Sequence, residues 1–255
     1  GLAGFKIPLP ADRDARVEAV RDLVVGHLAV SALADPAPDR AGQLPARVAA
    51  GARLTEVCLG LQQSLGIAAR VLPMADDSVA TEVRTADGWL EFQEYFVHRR
   101  QEPDVLELRF AGLAEAAPTP EVLGALAAAE VIVIAPSNPL VSVGPILGVP
   151  GMREAIASSR ARGARVAAVS PIIGGRALKG PADRMLVSLG HEASALGVAR
   201  LYADLCDVFV LDTVDADMAP AVAALGLRCC VTDTIMGDDT SRARLAGEVL
   251  DALGA

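Results

Sequence analysis

The sequence predicts an α/β protein built on a mostly parallel sheet with helices on both faces, plus a small mixed α/β lobe. Three observations carry this. Short, β-branched, nearly all-apolar runs at 131–135, 165–170, 208–212 and 228–232 have the composition of strands buried on both faces. Segments of helical period near 151–161, 181–205, 216–225 and 239–253 alternate with them, which is the pattern of βαβ units. Hydrophobic residues make up 52% of the chain but aromatics only 3%, which suits helices packed on parallel strands better than an aromatic-rich sandwich. The arrangement is therefore Rossmann-like, with right-handed crossovers placing every strand-to-helix loop at the carboxyl edge of the sheet.

Along the chain, residues 1–45 form a divergent N-terminal segment. Helical periodicity over 11–33 is broken by Asp35-Pro36-Ala37-Pro38. Residues 46–117 read as a helix and a β-rich lobe: a helix over 45–65 stopped near Gly66, then strands at 69–72 and 80–85 flanking the Met74-Ala75-Asp76-Asp77 turn. Asp87-Gly88 signals a hairpin, and 89–97 reads as its returning strand. Residues 118–255 form the parallel α/β portion. It opens on Thr119-Pro120-Glu121, an N-cap followed by Pro at the first helical position.

Composition excludes several classes. A net charge of −9 argues against a broad nucleic-acid surface, because His98-Arg99-Arg100 is the one compact basic cluster. No run reaches the roughly 20 apolar residues that span a bilayer. No basic, apolar leader opens the chain, and its first residue, Gly1 in place of Met, implies a start beyond the translation start. The cysteines Cys58, Cys206, Cys229 and Cys230 form no CxxC pair and read as buried, reduced thiols of a cytoplasmic protein.

Two strand-end loops can carry chemistry. The first, 135–147, offers Ser137, Asn138, Ser142 and Gly144 as donors and close-approach positions near a helix start expected at Pro150-Gly151. A plain turn needing Pro and Asn for its backbone angles explains that loop equally well. The second, 170–181, brings Ser170, the paired Gly174 and Gly175, and the cations Arg176 and Lys179 into an acidic chain, which favours an anionic ligand over two solvated side chains. Thr232-Asp233-Thr234 reads as a cap or turn. Asp76 and Asp77 are weak candidates for a cation, since adjacent turn carboxylates are more often solvated. His27, His98 and His191 have no partner at catalytic spacing, and there is no Walker or GxGxxG motif.

The run Pro136-Ser137-Asn138-Pro139 with Val141-Ser142-Val143-Gly144-Pro145-Ile146-Leu147 and Pro150-Gly151 resembles the 2-phospho-L-lactate transferase family, which includes actinobacterial phosphoenolpyruvate transferases. The likeness continues through 170–183, Gly190-His191-Glu192, Gly197-Val198-Ala199, and upstream through 72–77 and 92–97, covering roughly 46–254. The resemblance implies transfer of phosphoenolpyruvate or 2-phospho-L-lactate from a guanylyl-activated form, made from GTP, to the hydroxyl of a deazaflavin. GMP leaves and Mg²⁺ assists, in a cytoplasmic homodimer of coenzyme F-420 biosynthesis. It implies that Ser137, Asn138 and the glycine loop hold phosphate or ribityl oxygens, with Arg176 and Lys179 offsetting developing charge. Family members also begin with a strand, a GGxGG loop and an Asp-rich metal-binding segment, and residues 1–45 match none of these. Two other readings therefore stay open: a catalytically incompetent nucleotide- or nucleotide-sugar-binding regulator like the gluconeogenesis-factor group, and a structural remnant without ligand.

Overall fold

A computed structural model of the chain describes residues 50–64, 67 and 69–254, so the helical period expected at 11–33 lies outside the described residues. The first described element, α1 (Leu54–Ser64), starts later than the 45–65 span. Its first turn is capped from a distance: the Asp76 carboxylate accepts from Thr55 N–H and Oγ1, each at 2.8 Å. Residues 69–72 form no strand. Instead Val71 donates its N–H to the Gln62 side chain at 2.6 Å and accepts from it at 2.5 Å, so an amide side chain replaces a ladder partner.

Strands β1 (Ala80–Thr85) and β2 (Gly88–Glu91) form the expected hairpin, with Gly88 at φ 113° after the turn. A strand the sequence did not signal, β3 (Glu107–Ala111), pairs antiparallel with the other side of β1. The returning strand expected over 89–97 ends at Glu91, and the chain winds into a π-helical turn at Glu94–His98. Phe92, Tyr95 and Phe96 explain this. They stand at i, i+3 and i+4, a helical spacing that buries Tyr95 and brings the Phe92 and Phe96 rings to 5.5 Å.

Then come α2 (Pro120–Ala127), capped by Thr119 Oγ1 accepting from Val122 N–H, and β4 (Val131–Ile134). A π-helical turn (Pro139–Val143) leads into α3 (Gly144–Gly148) and α4 (Met152–Ala161), so most of the expected first loop is helical. Next are β5 (Arg165–Val169), the two-residue strands β6 (Ile172–Ile173) and β7 (Arg176–Ala177), α5 (Ala182–Ser188) and α6 (Ala195–Tyr202). The single helix expected over 181–205 is thus two, broken where Gly190 takes φ 80° and Ser194 caps α6 by accepting from Gly197 N–H. Strand β8 (Val208–Asp212) leads through a 3₁₀ turn (Thr213–Met218) to α7 (Ala219–Ala223), β9 (Arg228–Thr232) and α8 (Asp239–Leu253).

The main sheet runs β4-β5-β8-β9, with every pairing parallel. Strand order never reverses, so right-handed crossovers put α4, α6 and α7 on one face. There Val166, Ala168, Phe209 and Leu211 pack with Met152, Ile156, Val198, Tyr202 and Val222. The opposite face needs a separate cover, and α8 supplies it through Leu245, Val249 and Leu253 against Ala167, Val169, Val208 and Val210. The lobe is joined to this body: Tyr95, Val83 and Val105 pack on Met185 of α5. No described helix is long and apolar enough to cross a membrane.

Candidate functional site

All-parallel pairing brings four strand ends to one edge: residues after Ile134, Val169, Asp212 and Thr232. At the first, Asn138 acts as a cap. Its Oδ1 accepts from Leu140 N–H at 2.9 Å and Val141 N–H at 3.3 Å, and its Nδ2 donates to Met185 Sδ at 3.6 Å. Asn138-Pro139 therefore starts a helical turn, the same cap-then-Pro signal as Thr119-Pro120. A Cβ on Gly144 would lie 3.1 Å from Pro139 O, so tight winding accounts for this glycine. The hydroxyls of Ser137 and Ser142, both half-buried, hold no hydrogen bond among the described residues.

At the second strand end, Ser170 is buried and its hydroxyl is satisfied within its own turn, accepting from Ile172 N–H and donating to Ile172 O. The β6–β7 hairpin turns on Gly174 (φ 56°) and Gly175 (φ 78°), with Ile173 paired to Arg176. Two consecutive positive φ values define a type I′ turn, which glycine adopts without steric cost. Arg176 and Lys179 are exposed and form no ion pair among the described residues.

Two carboxylates that sequence reading did not single out organise the third end. Asp212, 2% exposed, accepts from Val214 N–H (3.0 Å), Thr213 Oγ1 (3.2 Å) and both Thr234 N–H and Oγ1 (2.8 Å each). Burial would raise its pKa, but these donors together hold it below the ordinary carboxylate value. Thr234 is thereby a strand-end tie, in keeping with the turn role read for it. Asp215 is equally buried, and both its oxygens lie 3.1 Å from Gly174 N. Burial pushes its pKa up, the Gly174 amide opposes this, and the neighbouring Asp212 and Asp217 add to the rise. The available signal was an acidic residue closing an apolar strand run at Asp212 and recurring at Asp215.

Asp76 and Asp77 are engaged elsewhere. Asp76 holds Thr55 and accepts from Arg53 Nε at 2.7 Å, while Asp77 accepts from Ala117 N–H at 3.0 Å. Arg53 also donates twice to Glu121 at 2.9 Å, which lowers the Glu121 carboxyl to about 2. Among the described residues no group of three or more His, Cys, Asp or Glu is placed to hold a metal ion.

Against known proteins, the family model described as "2-phospho-L-lactate transferase CofD" matches residues 43–228. The chain belongs to the CofD family. It is 41% identical over 202 residues to a 2-phospho-L-lactate transferase of Methanosarcina mazei, covering 79% of this chain and 65% of that one. It is 42% identical over 187 residues to a phosphoenolpyruvate transferase of Streptomyces griseus, covering 71% and 58%. The chain thus spans under two thirds of the length of these relatives. A UPF0052-family crystal structure from Bacillus halodurans superposes with a TM-score of 0.56 at 19% identity, over 77% of this chain and 67% of that one, and supports the α/β fold.

Proposed function

We propose that this chain is a phospho-acid transferase that moves phosphoenolpyruvate or 2-phospho-L-lactate from its guanylyl-activated form to the terminal hydroxyl of a deazaflavin ribityl chain. The acceptor oxygen forms a new bond to the phosphorus of the phospho-acid. The anhydride bond to GMP breaks, and the acceptor proton is released. The observation that carries the reading is that the segments after the neighbouring strands β4 and β5 carry Ser137 and Ser142 hydroxyls without a hydrogen bond and Arg176 and Lys179 without an ion pair among the described residues, in a chain about 40% identical to named transferases. Such transfer depends mainly on positioning and charge neutralisation, which fixed cations and hydroxyls supply.

Exposed Val214 and Ile235 come after β8 and β9 at the same edge, exposed Leu178 follows the β6–β7 hairpin, and such apolar side chains suit a flat aromatic acceptor. The four cysteines are free thiols, consistent with reaction in the cytoplasm, and the working assembly is a homodimer. The test is a transfer assay with the purified chain, Mg²⁺, the deazaflavin and each activated phospho-acid, read by mass spectrometry. A product whose mass names the donor is expected, and no product from either donor would refute transfer. The alternative is a catalytically incompetent relative that keeps these loops without the transfer step. That alternative predicts GDP or deazaflavin binding without product.

A further inference from the structure

We propose that Asp215 is a positioning residue: through the main-chain amide of Gly174 it holds the turn of the β6–β7 hairpin and so sets the place of Arg176. The inference rests on the proposed function, in which that hairpin meets the anionic donor.

Three features of the geometry carry it. First, a buried carboxylate normally gathers several donors, as the neighbouring Asp212 does, yet Asp215 receives only the Gly174 amide among the described residues, shared between its two oxygens at 3.1 Å. One N–H is a poor return in stability for burying a charge, so a purely stabilising role explains it badly. Second, the amide it takes has no ladder partner of its own. In a two-residue type I′ turn the first central N–H points away from the hairpin's hydrogen bonds, and Asp215 reaches it across 41 residues of chain. Third, both sides are shaped for the contact. Asp215 departs from helical angles within its 3₁₀ segment (φ −102°, ψ 19°), and a Cβ on Gly174 would lie 3.4 Å from Val214 Cγ1. The turn therefore sits directly on the loop that follows β8, and Arg176 is the residue immediately beyond it. Burial, with Asp212 and Asp217 nearby, disfavours the charged form of Asp215, so the contact is held at an electrostatic cost.

The test combines amide hydrogen exchange with a double-mutant cycle on GDP affinity, using Asp215→Ala, Arg176→Ala and the double variant in the full chain. The expected result is faster exchange at Gly174 and Gly175 with the sheet strands unchanged. Asp215→Ala should weaken GDP binding by about threefold to fivefold alone, no more than the loss of Arg176 itself, and by little in the Arg176→Ala background. Asp215→Asn, which keeps an acceptor oxygen, should restore most of the affinity. Should Asp215→Ala not fold, Asp215→Glu enters the same cycle, because its extra methylene displaces the turn. Unchanged exchange at Gly174, or losses that simply multiply, would overturn the role. Wild-type chain that binds no GDP would refute the functional reading and with it the purpose given to Asp215, whereas GDP binding without coupling refutes Asp215 alone.

Discussion

Replacing Asp212 with alanine is the sharpest probe of how the carboxyl edge is held. Its buried carboxylate accepts four hydrogen bonds, two of them from Thr234, itself only 4% exposed. Thr213 and Val214 are exposed, so their donors regain water when the carboxylate goes, while the Thr234 N–H and hydroxyl do not. Each of the two unsatisfied buried donors costs about 1–3 kcal/mol, and loss of the capping contact to Val214 about 1 kcal/mol more, so Asp212→Ala should destabilise by about 3–7 kcal/mol. Asp212→Asn keeps one acceptor oxygen but turns an NH₂ toward donors, and should cost about half as much. Urea unfolding at neutral pH measures both, with an unchanged m-value confirming that the native state is the one affected.

The pH dependence follows from sign. The folded pKa of Asp212 is depressed, so its stabilisation is complete above the ordinary value, about 3.9, and is lost as pH falls through the lower folded value. The gap between wild type and Asp212→Ala should narrow in that window. A loss below about 1 kcal/mol, or a gap that widens in acid, would refute the claim that this carboxylate organises the edge.

Arg176→Ala and Lys179→Ala should each weaken GDP binding by about fivefold, as expected for an exposed charge-assisted contact, without moving Tm; calorimetric titration and thermal melts check this. Gly197→Ala should cost about 1–3 kcal/mol or more in thermal stability, because the new Cβ collides with the Glu192 carbonyl oxygen where α6 begins. Arg53→Met should flatten the acid limb of stability. Glu121 titrates at about 2 beside Arg53, so its contribution is present above its ordinary pKa and lost as pH falls toward 2, and unfolding measured from pH 6 to 2 reads the change.

Much of the fold was legible because its elements announce themselves locally. The apolar runs at 208–212 and 228–232 became β8 and β9 at those bounds, since parallel strands buried on both faces need no alternation. Thr119-Pro120 predicts a helix start, and a helix begins there. Asn138-Pro139 carries the same signal, but the glycine and prolines after it resembled a loop, and the helical turn it opens went unseen. The hairpin signal at Asp87-Gly88 extends the returning strand over Phe92, Tyr95 and Phe96, whose spacing is helical. At the edge, Arg176, Lys179 and the paired glycines stood out by charge and by backbone freedom. Asp212 and Asp215 did not, because their partners Thr234 and Gly174 lie 22 and 41 residues away, a closeness only the sheet creates.

The most direct test of the central claim, that the strand-end loops form one anion site, is a titration of the isotopically labelled chain with GDP followed by amide NMR. Shifts concentrated at Ser137, Asn138, Gly174, Gly175 and Arg176 are predicted, saturating together with one affinity. Shifts centred instead on the Asp76-Asp77 turn, or none at millimolar GDP, would contradict it.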